Sequence, residues 1–94
     1  MKTFLIEYTY AENMVSRRQP YRARHLEHIS NRAANGLVVL AASTIEPVDR
    51  GIIAIRADSI DQVWSWVAEE PYVLAGLVTQ CAVRELAVAI PASS

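Results

Sequence analysis

Apolar and polar side chains alternate from Phe4 to Tyr10, with Phe4, Ile6, Tyr8 and Tyr10 on one side and Leu5, Glu7 and Thr9 on the other. That two-residue period predicts a first β-strand. After a polar stretch, Ser16 followed by Gln19 has the spacing of a capping box, and Pro20 suits a first helical turn, where its missing N–H is not needed. A helix is expected to run from there to about Asn35, with Gly36 as its left-handed cap. Leu37–Ala42 and Gly51–Ala57 are β-branched, apolar runs, and between them Pro47 and Asp49 favour a turn, so the two read as a hairpin. Asp58-Ser59 is expected to cap a second helix in which Ile60, Val63, Trp64 and Val67 repeat at helical spacing, ending at Pro71. A one-turn segment, PYVLAG, follows. The run from Leu77 to Ile90 lacks caps and is rich in Val, which favours a long last strand, and only the tail Pro91–Ser94 reads as frayed.

The order strand, helix, strand, strand, helix, strand is the α+β, ferredoxin-like βαββαβ arrangement, which puts two helices on one face of a four-stranded antiparallel sheet. The other face then has no cover within the chain. Alternation places Val78, Ala82, Leu86 and Val88 on one side of the last strand and Leu77, Cys81, Val83 and Ala87 on the other, so neither side is simply polar. Composition sharpens this point. The 94 residues are read as a single domain, residues 1–94, with 52% apolar and only 20% charged side chains. A chain of this size buries only roughly two-thirds of its unfolded surface, so a partner surface is expected, most simply a second copy in a homodimer or higher homo-oligomer.

Charge and chemistry narrow the field. A net charge of −1 provides no basic field for nucleic acid. One Cys and two His are too few for an internal disulfide or a closed zinc site, so neither a metal nor another cofactor is expected. The N-terminal apolar block is broken by Glu7, unlike a secretion signal or membrane span, and a cytoplasmic location without membrane contact is the expectation.

On a helical wheel Leu26, Ile29 and Ala33 define the apolar stripe of the first helix, and Arg22 and His25 fall on it, one turn apart. A histidine there is commonly a core residue bonded to a carbonyl, but a guanidinium beside it implies an acidic partner or a wet pocket, unless Arg22 snorkels past the helix end. His28 falls on the flank, where His28→Ala is expected to change stability by less than ~0.5 kcal/mol. Glu69 and Glu70 are expected at the C-terminal end of the second helix, where the macrodipole disfavours carboxylates and would make them hold protons more tightly. Trp64 is expected in the core, Trp66 at a rim or interface, and Cys81 as an inert buried thiol.

The string Arg22-Ala23-Arg24-His25-Leu26, with Gly36 before a strand and Glu70-Pro71-Tyr72-Val73-Leu74-Ala75-Gly76-Leu77, resembles the YCII-related domain family from Phe4 to Ile90. Family members characteristically carry Asp-Pro-Phe/Tyr, two residues, then Ala-Gly-Leu after the second helix. The resemblance implies a dimeric ferredoxin-like α+β barrel with His25 and Glu70 as an active-site pair. Two departures stand out: the family acid is usually Asp, and Ala42-Ser43-Thr44 replaces a common Gly-Pro after the second strand.

A histidine held by a carboxylate has a fixed tautomer and suits a general base near neutral pH. The expectation is therefore a small cofactor-free acid–base enzyme, a lyase or isomerase, with His25 and Glu70 catalytic. Family members have been linked to removal of HCl from chlorinated hydroxyquinols, so the resemblance implies a small oxygenated ring compound as substrate. Arg22 or Arg24 would bind an anionic oxygen, with Tyr72 and Ser43 as hydrogen-bonding walls. The rivals are a non-catalytic ligand-binding or accessory dimer using the same pocket, and a cofactor-free oxygenase.

Overall fold

A computed structural model describes residues 1–91. The tail from Ala92 lies outside the described residues. Four strands, β1 (Lys2–Tyr10), β2 (Val38–Ser43), β3 (Arg50–Ala57) and β4 (Val78–Leu86), form one antiparallel sheet in the order β2-β3-β1-β4. The connections carry α1 (Met14–Arg17), a 3₁₀ turn (Gln19–Tyr21), α2 (Arg22–Ala33), α3 (Ile60–Ala68) and α4 (Pro71–Leu74). This is the ferredoxin-like α+β fold, with α2 and α3 on one face of the sheet.

The alternation in β1 has the expected consequence. Phe4, Ile6 and Tyr8 are buried, and they meet Ile53, Ile55 and Ala57 of β3, Ile29 of α2, and Val63 and Val67 of α3 in one core. Burying each such large aliphatic or aromatic side chain contributes about 1.5–3 kcal/mol. A second, smaller core of Met14, Tyr72 and Leu77 lies beside it. Ser59 caps α3 by accepting the Gln62 N–H, while the Gln62 side chain accepts from the Asp58 N–H, so the expected cap forms through Ser59. Gly36 takes the expected left-handed conformation, φ 72°, in a Schellman turn closed by bonds from Gly36 N to Ala33 O and Leu37 N to Arg32 O.

Several expectations need correcting. Ser16 caps nothing: Gln19 bonds to the Val15 carbonyl, and the main helix opens only at Arg22, after α1 and the turn containing Pro20. Burial of Met14 against Tyr72 and Leu77 anchors the earlier helical turn, α1. The last strand stops at Leu86, not Ile90, because Leu86 already pairs with Thr3 and its sole neighbour, β1, ends one residue further on. A bulge at Thr9/Tyr10 brings Val78 to the inner face with Cys81 and Val83, whereas alternation alone had separated them.

The phases of both helices are also rotated. Leu26 is 45% exposed and Ala33 is exposed, while His25 and Ile29 face the core. In α3, Trp64 is 41% exposed and Trp66 packs against the core. The two rotations meet in one contact. His28, expected on a wet flank, stacks on Trp66 with ring centroids 4.6 Å apart, and its Nε2–H donates to the Trp66 carbonyl at 3.0 Å. A hydrogen bond of about 1 kcal/mol and an aromatic contact of about 0.5–1.5 kcal/mol replace the near-zero value expected. His28→Ala should therefore lower stability by about 1–2 kcal/mol in urea unfolding, and a loss under ~0.5 kcal/mol would mean that this contact is marginal.

Candidate functional site

Glu70 owes its position to the break between α3 and α4. The chain leaves α3 at Ala68, and Glu70 adopts extended backbone angles (φ −70°, ψ 128°) as the N-cap of α4. Pro71 follows at the first helical position, where no N–H is needed, and the Tyr72 N–H donates to Glu70 Oε2 at 2.5 Å. The carboxylate thus belongs to the start of α4, and the adverse dipole field expected at the end of α3 falls instead on exposed Glu69. Gly76, φ 73°, completes α4 by the same Schellman turn as Gly36, which lets Leu77 enter the second core.

The other oxygen, Oε1, accepts a hydrogen bond from His25 Nδ1 at 2.6 Å. Glu70 is fully buried and His25 is 7% exposed. Both carboxylate oxygens are engaged by donors, which is the condition under which an acid can be buried without leaving an unsatisfied charge. The His25 ring stacks face to face on Tyr72, with centroids 3.6 Å apart and planes 7° from parallel. Donation from Nδ1 leaves Nε2 as the unprotonated nitrogen of the neutral ring, and it has no protein partner among the described residues.

His25 lines a cavity of about 240 Å³ between α2, β2 and the sheet. Arg22, Ser43 and Tyr72, all expected at the site, line it with His25. Arg24 does not. One residue before His25, it sits 100° round the helix, exposed, with its guanidinium 5.7 Å from the Tyr21 ring centroid.

Two residues missed in the sequence, Arg18 and Tyr10, also line the cavity. Tyr10 could have been found, since it continues the inward series of β1. Arg18 could not, because it lies in the turn between α1 and the 3₁₀ segment, where no helical phase applies. Tyr10 lies across the sheet over Gly51. A Cβ at Gly51 would sit only 2.7 Å from Tyr10 Cζ, so the absence of a side chain is what makes room for the ring.

The phenols are held protonated. Burial, then the charge of Glu70, pushes Tyr10 up to about 12, and the same two causes raise Tyr8 further still. Burial also raises Tyr72, while the nearby Arg22 guanidinium pulls it back. Burial and Glu70 push the half-buried Cys81 up to about 11, so at neutral pH it is a thiol and no nucleophile. The Tyr8 and Tyr72 hydroxyls are buried without a hydrogen bond among the described residues. Lining a cavity, Tyr10 and Tyr72 can donate O–H bonds to an oxygenated ligand. Among the described residues no group of three or more His, Cys, Asp or Glu is placed to hold a metal ion.

No curated protein matches the sequence. Among solved structures, 5-chloro-2-hydroxyhydroquinone dehydrochlorinase (TftG) from Burkholderia phenoliruptrix, in complex with 2,5-dihydroxybenzoquinone, superposes with a TM-score of 0.80 at 22% identity, covering 90% of this chain and 93% of the other. A variant of MhuD with two manganese protoporphyrin IX bound per active site gives a TM-score of 0.53 at 10% identity, over 100% of both chains. At these identities the likeness is one of fold. The sequence itself matches the YCII-related domain over residues 1–87, nearly its whole length, and the chain belongs to that family.

Proposed function

We propose that the protein is a cofactor-free acid–base enzyme of the lyase or isomerase type, acting on a small oxygenated ring compound. The observation that supports this most is the buried His25–Glu70 pair at 2.6 Å, formed by a histidine that also lines a cavity. Glu70 holds Nδ1 protonated, and Nε2 takes a proton from a ring hydroxyl or an adjacent C–H. The electron pair left behind enters the ring system as a leaving group departs, so that in dehydrochlorination the elements of HCl are lost. Arg22 holds an anionic oxygen, and Ser43 and Tyr72 donate hydrogen bonds. A cavity of about 240 Å³ suits a single substituted ring, since about 150 Å³ suffices for benzene.

The dehydrochlorinase that shares the fold supplies the first compound to try. Chloride release from 5-chloro-2-hydroxyhydroquinone should be accelerated by the protein and not by its His25→Ala variant. Acceleration by the His25→Ala variant equal to that by the native protein would contradict the acid–base reading.

The alternative, a non-catalytic ligand-binding dimer, draws on one observation: Glu70 caps α4, which gives the pair a structural use even without turnover.

We further propose that the active form is a homodimer joined through the outer sheet face. Among the described residues no helix covers that face, where Leu40 is 52% and Leu86 36% exposed and Leu5 and Ile52 are half-buried. Light scattering at micromolar concentration should give twice the 10.4 kDa chain mass. A stable, folded monomer would sink this assembly.

A further inference from the structure

Arg18 closes α1 and Arg22 opens α2, and the 3₁₀ turn between them brings both half-buried side chains to the same cavity. Among the described residues no Asp or Glu lines that cavity. The ion pairs among the described residues are His25–Glu70, Arg50–Asp49 and Arg84–Glu7, so neither arginine has a carboxylate partner there. Arg18 Nε is moreover buried with no acceptor among the described residues. A guanidinium cannot lose its proton, and two of them lining one cavity without a carboxylate partner are completed by an acceptor-only anion.

The rest of the cavity indicates what carries that anion. Tyr10, Tyr72, Ile29, Ile53 and Leu26 form aromatic and aliphatic walls, which a bare inorganic anion would not use. The planar fork of a guanidinium matches the planar oxygens of a carboxylate. We propose that the substrate is a single-ring carboxylate whose carboxyl group is clamped by Arg18 and Arg22 while its ring lies against Tyr10 and Tyr72, with its acidic O–H or C–H at His25. The clamp deepens the acid–base reading and rests on it for the reacting proton, but not for binding.

Calorimetric titration with 2,5-dihydroxybenzoate, benzoate and their uncharged counterparts, the corresponding benzyl alcohols, tests this. Each carboxylate should bind about tenfold or more tightly than its alcohol, with an advantage that shrinks as salt rises. Arg18→Gln and Arg22→Gln should each remove most of that advantage, and Arg24→Gln should keep it. If one glutamine variant fails to fold by circular dichroism, the other, together with Arg18→Lys, which keeps the charge but loses the fork, carries the test. His25→Ala should retain the carboxylate preference. Failure of turnover with the preference intact therefore removes only the acid–base reading, and the reverse outcome removes only the clamp. Equal affinity for acid and alcohol, a preference unchanged in the folded arginine variants, no carboxylate binding at millimolar concentration, or tighter binding of inorganic phosphate would each overturn the clamp.

Discussion

Replacing His25 by alanine is expected to lower kcat by about 10²–10⁴-fold, the range over which a positioned general base acts, with little change in KM. Glu70→Gln is expected to be nearly as damaging, for a reason the geometry makes specific. The Tyr72 N–H can only donate, so the glutamine must turn its carbonyl oxygen toward Tyr72 and its NH₂ toward His25 Nδ1. Nδ1 then has to accept, which moves the ring proton to Nε2 and leaves no lone pair at the cavity. A loss approaching about 10⁴-fold is what a wrong tautomer of this kind produces where an acid orients a catalytic imidazole. Glu70→Asp retains an acceptor for each donor and restores the acid usual in the family, so it should keep part of the activity. Full kcat in His25→Ala would reduce the pair to a structural feature.

The second large effect is on stability. Glu70→Ala should cost about 3–5 kcal/mol in chemical unfolding, the scale for breaking a buried, hydrogen-bonded pair by removing one partner. The fully buried carboxylate satisfies the Tyr72 N–H and the His25 ring at once, and its loss strands both donors and uncaps α4. His25→Ala should be less harmful, because Glu70 still accepts the Tyr72 N–H and caps α4. A loss under about 1 kcal/mol in Glu70→Ala would show that water replaces the carboxylate readily.

The strands, the cap at Ser59 and the turn at Gly36 were legible because each is set by local spacing or by backbone sterics. The helix phases were not. A wheel drawn on apolar residues places His25 inward but Leu26 and Trp64 inward as well, while in the folded chain His28 and Trp66 turn in beside His25 and Glu70. Those four residues satisfy each other in two pairs between segments 38 and 45 positions apart, and such compensation is invisible to hydrophobicity. Likewise, Ser16 and Gln19 have the spacing of a cap, but the burial of Met14 under Tyr72 and Leu77 overrides it. His25 and Glu70 could be paired from the sequence through the family's motif, and Arg22, Ser43 and Tyr72 were expected beside them, whereas Arg24 lies about 100° round the helix from His25 and Arg18 escaped notice because local sequence does not encode the path of the turn before α2.

The central claim, that Glu70 sets His25 as a base with its free nitrogen at the cavity, is tested most directly by the ¹⁵N chemical shifts of the His25 ring, which need no substrate. At a pH where the ring is neutral, the native protein should show a protonated Nδ1 and an unprotonated Nε2, and Glu70→Gln should show the reverse. A native ring with its proton on Nε2, or a tautomer unchanged by Glu70→Gln, would contradict the account.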